Sequence, residues 1–218
     1  MSPDNPFLRA LLAQPDDDTL RLAMADWLDE NDDPARAEFI RLQVELASGV
    51  EDRDRRFELE LRQRELLLAH EGEWVRPLAE VLECPPGTWG GWVFRRGFVE
   101  YFHLPAAVAN RCGEKLARLT PIRELFLSPC TSVSVVALCK KSWLTSVTVL
   151  RLRGDRPDVD PNLRTSPLNA KAIRALIDCP HFTNLKVIEA IAGDDVSEQL
   201  KKEFHRRFGR HLVRSPHA

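Results

Sequence analysis

Apolar positions in the second half of the chain recur in one short pattern. Val99-x-x-Phe102-x-Leu104 is followed by Ile122-x-x-Leu125-x-Leu127, Val147-x-x-Leu150-x-Leu152 and Leu185-x-x-Ile188-x-Ala190. Each copy predicts a short strand with alternate side chains turned to a core. Apolar helical segments follow at 106–116, 133–139 and 168–177. The first half carries helical periodicity instead. Pro6 opens a short helix with Asn5 as its cap, and Asp18 or Thr19 caps a second. In that second helix Leu20, Leu22, Ala23, Ala25, Trp27 and Leu28 cover much of the circumference and predict burial. Pro34 starts a third helix with Phe39, Ile40, Leu42, Val44 and Leu46, closed by Ser48-Gly49.

Residues 52–70 predict a long helix whose apolar side is Phe57, Leu59, Leu61, Leu66, Leu67 and Leu68, with Glu58 and Arg62 paired at i, i+4. A further short helix is expected over 73–82, around Trp74 and Leu78, ended by Cys84-Pro85-Pro86-Gly87. Trp89-Gly90-Gly91-Trp92 is read as the seal between the helices and the strands, and 97–104 as the first strand. At the far end, 196–208 predicts an amphipathic capping helix with Leu200, Phe204 and Phe208 on its apolar stripe. Gly209 stops it, and His211-Leu212-Val213 predicts a last short strand.

Phe102 and Leu125 stand 23 residues apart, and Leu125 and Leu150 stand 25 apart. Both intervals fall in the roughly 20–29 residues of a leucine-rich repeat. The next interval, Leu150 to Ile188, is 38. It requires an insertion, which the polar, proline-rich stretch 153–167 supplies as a predicted surface loop. The expected fold class is therefore α/β: a short leucine-rich-repeat-like solenoid with parallel strands, preceded by an all-α helical module. The expected division is 1–49, 50–96 (connecting helices and linker) and 97–214. One strand–helix unit cannot bury its own apolar side, so the pattern has to repeat.

The helical stretch LLAQPDDDTLRLAMADWLDENDDPARAEFIRLQVELA resembles the repeat-companion domain, a short bacterial module found ahead of leucine-rich or similar repeats. The resemblance rests on the acidic turn Pro15–Asp18, Ala25-Asp26-Trp27-Leu28, Asp33-Pro34 and Glu38-Phe39-Ile40-Arg41-Leu42-Gln43, and covers roughly residues 8–47. It implies company with repeats and no particular chemistry. Trp27 is read as a core anchor, and Asp26 as a local cap or partner of Arg36 or Arg41. The ending EFHRRFGRHLVR resembles the last unit of such proteins more loosely.

Composition adds limits. With 44% hydrophobic and 29% charged residues and a net charge of −2, the chain reads as globular, with no global pull toward nucleic acid or anionic membrane. The N-terminal stretch is acidic and the C-terminal stretch basic. The five cysteines are an odd, scattered set without CxxC pairing; reduced, mostly buried thiols and a cytoplasmic setting are expected. Neither a signal peptide nor a membrane-spanning run is read.

Asp29-x-Asn31-x-Asp33 starts like a calcium loop, but Pro34 and Ile40 stand at its sixth and twelfth positions. Asp155, Asp158 and Asp160 are read as solvated loop charges, and Arg153-Gly154-Asp155 as a chance tripeptide. No P-loop, nucleophile elbow or histidine ligand spacing is present in the sequence. A non-enzymatic protein without cofactor or metal is the expectation. Between the ladder positions, Tyr101, His103, Glu124, Phe126, Val149, Arg151, Val187 and Glu189 should line the inner face and meet a protein partner. The alternative is nucleic-acid binding through Lys201, Lys202, Arg206, Arg207 and Arg210.

Overall fold

Helix capping places the first helices where the polar punctuation puts them. In the computed structural model, which describes residues 5–83, 91–154, 167–209 and 212–214, α1 runs Pro6–Ala13 with the Asn5 side chain accepting from the Phe7 and Leu8 amides. α2 spans Asp18–Glu30 and α3 Pro34–Ala47. The cap of α2 is Asp17, one residue earlier than expected, because its carboxylate reaches the Thr19 amide at 2.8 Å. Asp33 caps α3 through the Arg36 amide. α4 spans Arg53–Trp74 and α5 Arg76–Leu82, so the long helix continues through residues expected in the short one.

Strands β1 (Gly91–Arg95) and β2 (Phe98–Leu104) follow, then α6 (Ala106–Leu116), β3 (Glu124–Leu127) and α7 (Ser132–Leu138). A short 3-10 turn at Ser142–Ser146 leads to β4 (Val149–Leu152), α8 (Ala170–Asp178), β5 (Val187–Ala192), α9 (Glu198–Phe208) and β6 (Leu212–Arg214). The sheet order is β1-β2-β3-β4-β5-β6. The pairs from β2–β3 to β5–β6 are parallel. β1, which sequence periodicity missed, joins β2 through Arg96-Gly97 alone, a connection that only antiparallel neighbours can share. Both turn residues have positive φ, 48° and 89°, the geometry of a type I′ turn. The architecture is a mixed α/β one with a mostly parallel sheet, preceded by an all-α stretch. No helix among the described residues is long and apolar enough to cross a membrane.

The chain divides into two compact units. One takes the described parts of 1–86, 92–100 and 115–121; the other takes those of 87–91, 101–114 and 122–218.

In the first unit, Leu8, Leu11, Met24, Ala25, Leu28, Ala37, Ile40 and Phe98 form one core cluster, with Trp27 partly buried against it. Asp26 pairs with Arg41 at 2.6 Å; Arg36 is engaged elsewhere. Three expectations fail here. Leu22 is exposed while Arg21 is buried, so α2 hides a cation and shows a leucine. On α4 only Leu59 and Leu66 are buried, whereas Phe57, Leu61 and Leu68 face solvent. Arg62 takes Glu38 and Glu65 as partners rather than Glu58, because α3 brings Glu38 within 2.7 Å.

Three buried polar side chains of this unit, Arg21, Arg36 and Gln43, converge on the β1–β2 turn. Arg21 donates to the Arg96 carbonyl at 3.0 Å, Arg36 to the Gly97 carbonyl at 2.6 Å, and Gln43 accepts from the Gly97 amide at 2.7 Å. Arg21 also meets Glu100 at 2.6 Å, with both side chains almost fully enclosed. Buried backbone groups need partners, and side chains of α2 and α3 supply them. Trp92 donates to Glu71 at 2.9 Å; Trp89 and Gly90, read as part of the same seal, lie outside the described residues.

In the second unit the ladder is in register: Phe102 opposite Leu125, Leu125 opposite Leu150, Leu150 opposite Ile188. All four are buried. α6 approaches the 3-10 turn at Gly113, where a Cβ would come 2.1 Å from the Trp143 ring. Gly113→Ala is therefore expected to cost about 1–3 kcal/mol by overpacking, seen as a lower thermal midpoint. Trp143→Phe, which removes the ring atoms in the way, should reduce the loss when the two changes are combined. Equal melting of Gly113→Ala and the parent chain would reject this contact. Of the predicted insertion, 155–166 lies outside the described residues, as does Cys84. Cys112, Cys130, Cys139 and Cys179 are free and buried.

Candidate functional site

A parallel strand presents alternate side chains to opposite faces, so the residues between the ladder positions share the other face of β2–β5. The register sorts them into two rows. Tyr101, Glu124, Val149 and Val187 form one; His103, Phe126, Arg151 and Glu189 form the other. All eight are half-buried. The structure thus brings together every inner-face residue expected from sequence. Ile191 continues the same face of β5 and was not among them. Its alternation within the strand was the available signal.

The second row is chemically mixed. The His103 and Phe126 rings lie 4.4 Å apart at a 38° tilt. Arg151 reaches Glu189 at 3.2 Å and Glu124, on the neighbouring strand, at 3.8 Å. Just past β4, Arg153 places its guanidinium 5.9 Å from the Phe126 ring. Arg153 is a further contributor that only the fold reveals, since it lies beyond the repeated pattern. With side chains 22–39% exposed, these ion pairs are each worth about 0–1 kcal/mol. They can exchange partners at little cost. The patch offers one aromatic pair, one arginine between two carboxylates and an aliphatic strip.

The basic residues of α9 are arranged differently. Lys201 pairs with Glu198 at 2.8 Å, and Arg207 donates to the Cys179 carbonyl at 2.6 Å. Lys202 and Arg206 are exposed; Arg210 lies outside the described residues. Glu203, held by Arg174, stands on the same helix. Positive charge on α9 is thus interleaved with carboxylates and partly committed to internal bonds.

Among the described residues no three His, Cys, Asp or Glu side chains converge as a metal-binding group. Burial pushes the Cys130 thiol up to about 11, away from the reactive thiolate. Comparison of the chain with family models, with curated proteins and with solved structures gives no significant match.

Proposed function

We propose that this chain is a non-enzymatic protein–protein interaction scaffold that engages its partner through the face of β2–β5 carrying Tyr101, His103, Phe126 and Arg151. The observation that carries the reading is the pair of registered, half-buried rows, with aromatic and arginine side chains at their centre. Such side chains dominate binding energy at protein interfaces. The repeat intervals and the parallel register support a short leucine-rich-repeat-like array. The resemblance of the helical stretch to the repeat-companion module would fit an array of this kind.

The test is a comparison of paired baits. Phe126→Ala with Arg151→Glu is expected to leave circular dichroism and melting close to those of the parent chain. Affinity for the partner captured by the parent should fall at least about tenfold, equivalent to ~1.4 kcal/mol. A folded double variant that captures the same partner equally well would reject this face.

A further inference from the structure

A second surface, independent of the strand face, lies on α4. Phe57, Leu61 and Leu68 are 66%, 47% and 83% exposed. With Arg64 they recur at spacings of four, three and four residues, which a helix gathers into one stripe. Leu59 and Leu66, the buried leucines of α4, lie on the opposite side of the helix. The stripe therefore points away from the core. Three large apolar side chains in line exceed the scattered exposure that is ordinary on a surface.

Charge borders the stripe. Arg53, Glu60 and Glu71 follow one edge, and Arg64 leans toward it. Among the described residues Arg53, Glu60 and Arg64 have no ion-pair partner in their own chain. Glu71 gives one oxygen to the Trp92 indole. On the opposite edge Glu58 and Glu65 already have Arg55 and Arg62.

We propose that α4 pairs antiparallel with α4 of a second copy of this chain. Setting Phe57 against the partner's Leu68 sets Leu61 against the partner's Arg64, whose aliphatic stem covers the leucine. The same register brings Glu60 to the partner's Arg64 and Arg53 to the partner's Glu71, each pairing occurring twice by symmetry. Charge selects this orientation. A parallel pair would stack Arg64 on Arg64 and set Glu60 beside the partner's Glu65. The seam from residue 53 to 71 is ~27 Å long. An interface of that size is small, and micromolar association is expected.

Sedimentation of the full chain from about 1 to 300 µM tests the pairing. A monomer–dimer equilibrium is expected. Leu61→Glu and Leu68→Glu should each weaken it at least about tenfold and leave the circular dichroism spectrum intact, since both side chains are already in solvent. Glu60→Arg should weaken it as well, and adding Arg64→Glu should restore it. Leu61→Cys, beside the two-fold axis, should give a covalent dimer on mild oxidation. Phe57→Cys, ~16 Å along the seam from its own copy, should not. A chain that stays monomeric throughout, including one that instead binds neutral lipid vesicles through the stripe, would overturn the proposal. So would a dimer indifferent to Leu61→Glu, a charge swap that fails to restore it, or cross-linking as ready through position 57 as through 61.

Discussion

Glu100→Ala is expected to cost about 3–5 kcal/mol of unfolding free energy, the usual loss when one member of a buried ion pair is removed. Glu100 is 2% exposed and Arg21 is fully buried. Burial lowers the affinity of Arg21 for its proton, and Glu100 offsets part of that penalty. Without the carboxylate, Arg21 remains enclosed near a second cation, Arg96, which itself reaches toward Glu100 at 3.5 Å. A urea titration should show a lower midpoint with little change in slope, and added salt should alter the loss only slightly, since buried charges are poorly screened. Arg21→Met combined with Glu100→Leu should cost less than the two single changes together, by at least about 1 kcal/mol. Additive losses would show that the pair is not coupled.

Leu150→Ala is expected to remove about 2–5 kcal/mol, as large-to-small changes do in well-packed cores. Leu150 is 0% exposed and lies between Leu125 and Ile188 in the register. Leu125→Ala should fall in the same range. Val149→Ala, one position away on the opposite face, should cost much less, because that side chain is half-buried. Melting curves of the three variants check the ordering. Unchanged midpoints in both leucine variants would reject the ladder.

The contrast between Leu150 and Val149 also shows what sequence periodicity reads well. A strand places alternate residues on opposite faces by geometry alone, so a recurring aliphatic spacing marks β2 to β5 and, with them, all eight face residues. The cap of α1 was legible as well, because Asn5 satisfies amides of its own helix a few residues on, whereas the caps Asp33 and Ser197 emerge only with the structure.

What escaped depends on partners distant in sequence. The sequence assigns Arg21 no role and Arg36 only a local carboxylate, Asp26, whereas β1 and β2 bring both of them backbone acceptors from residues 96 and 97. Arg62 looked paired within its helix, but the fold supplies Glu38. β1 is a short strand whose position is set by its turn and its neighbour, and five residues of mixed burial give weak alternation. The leucines of α4 outnumber the contacts available to them, so an apolar count overstated its buried side.

The turn at Arg96-Gly97 bears on where the helical part could be cut free. Its two carbonyls and one amide are bound by Arg21, Arg36 and Gln43, and its glycine packs where a Cβ would lie 2.9 Å from the Ile40 backbone. An excised piece ending ahead of this hairpin would take the turn partners from two guanidinium groups and a carboxamide in a single stroke. The smallest fragment able to be grafted onto another protein thus has to carry the hairpin with it.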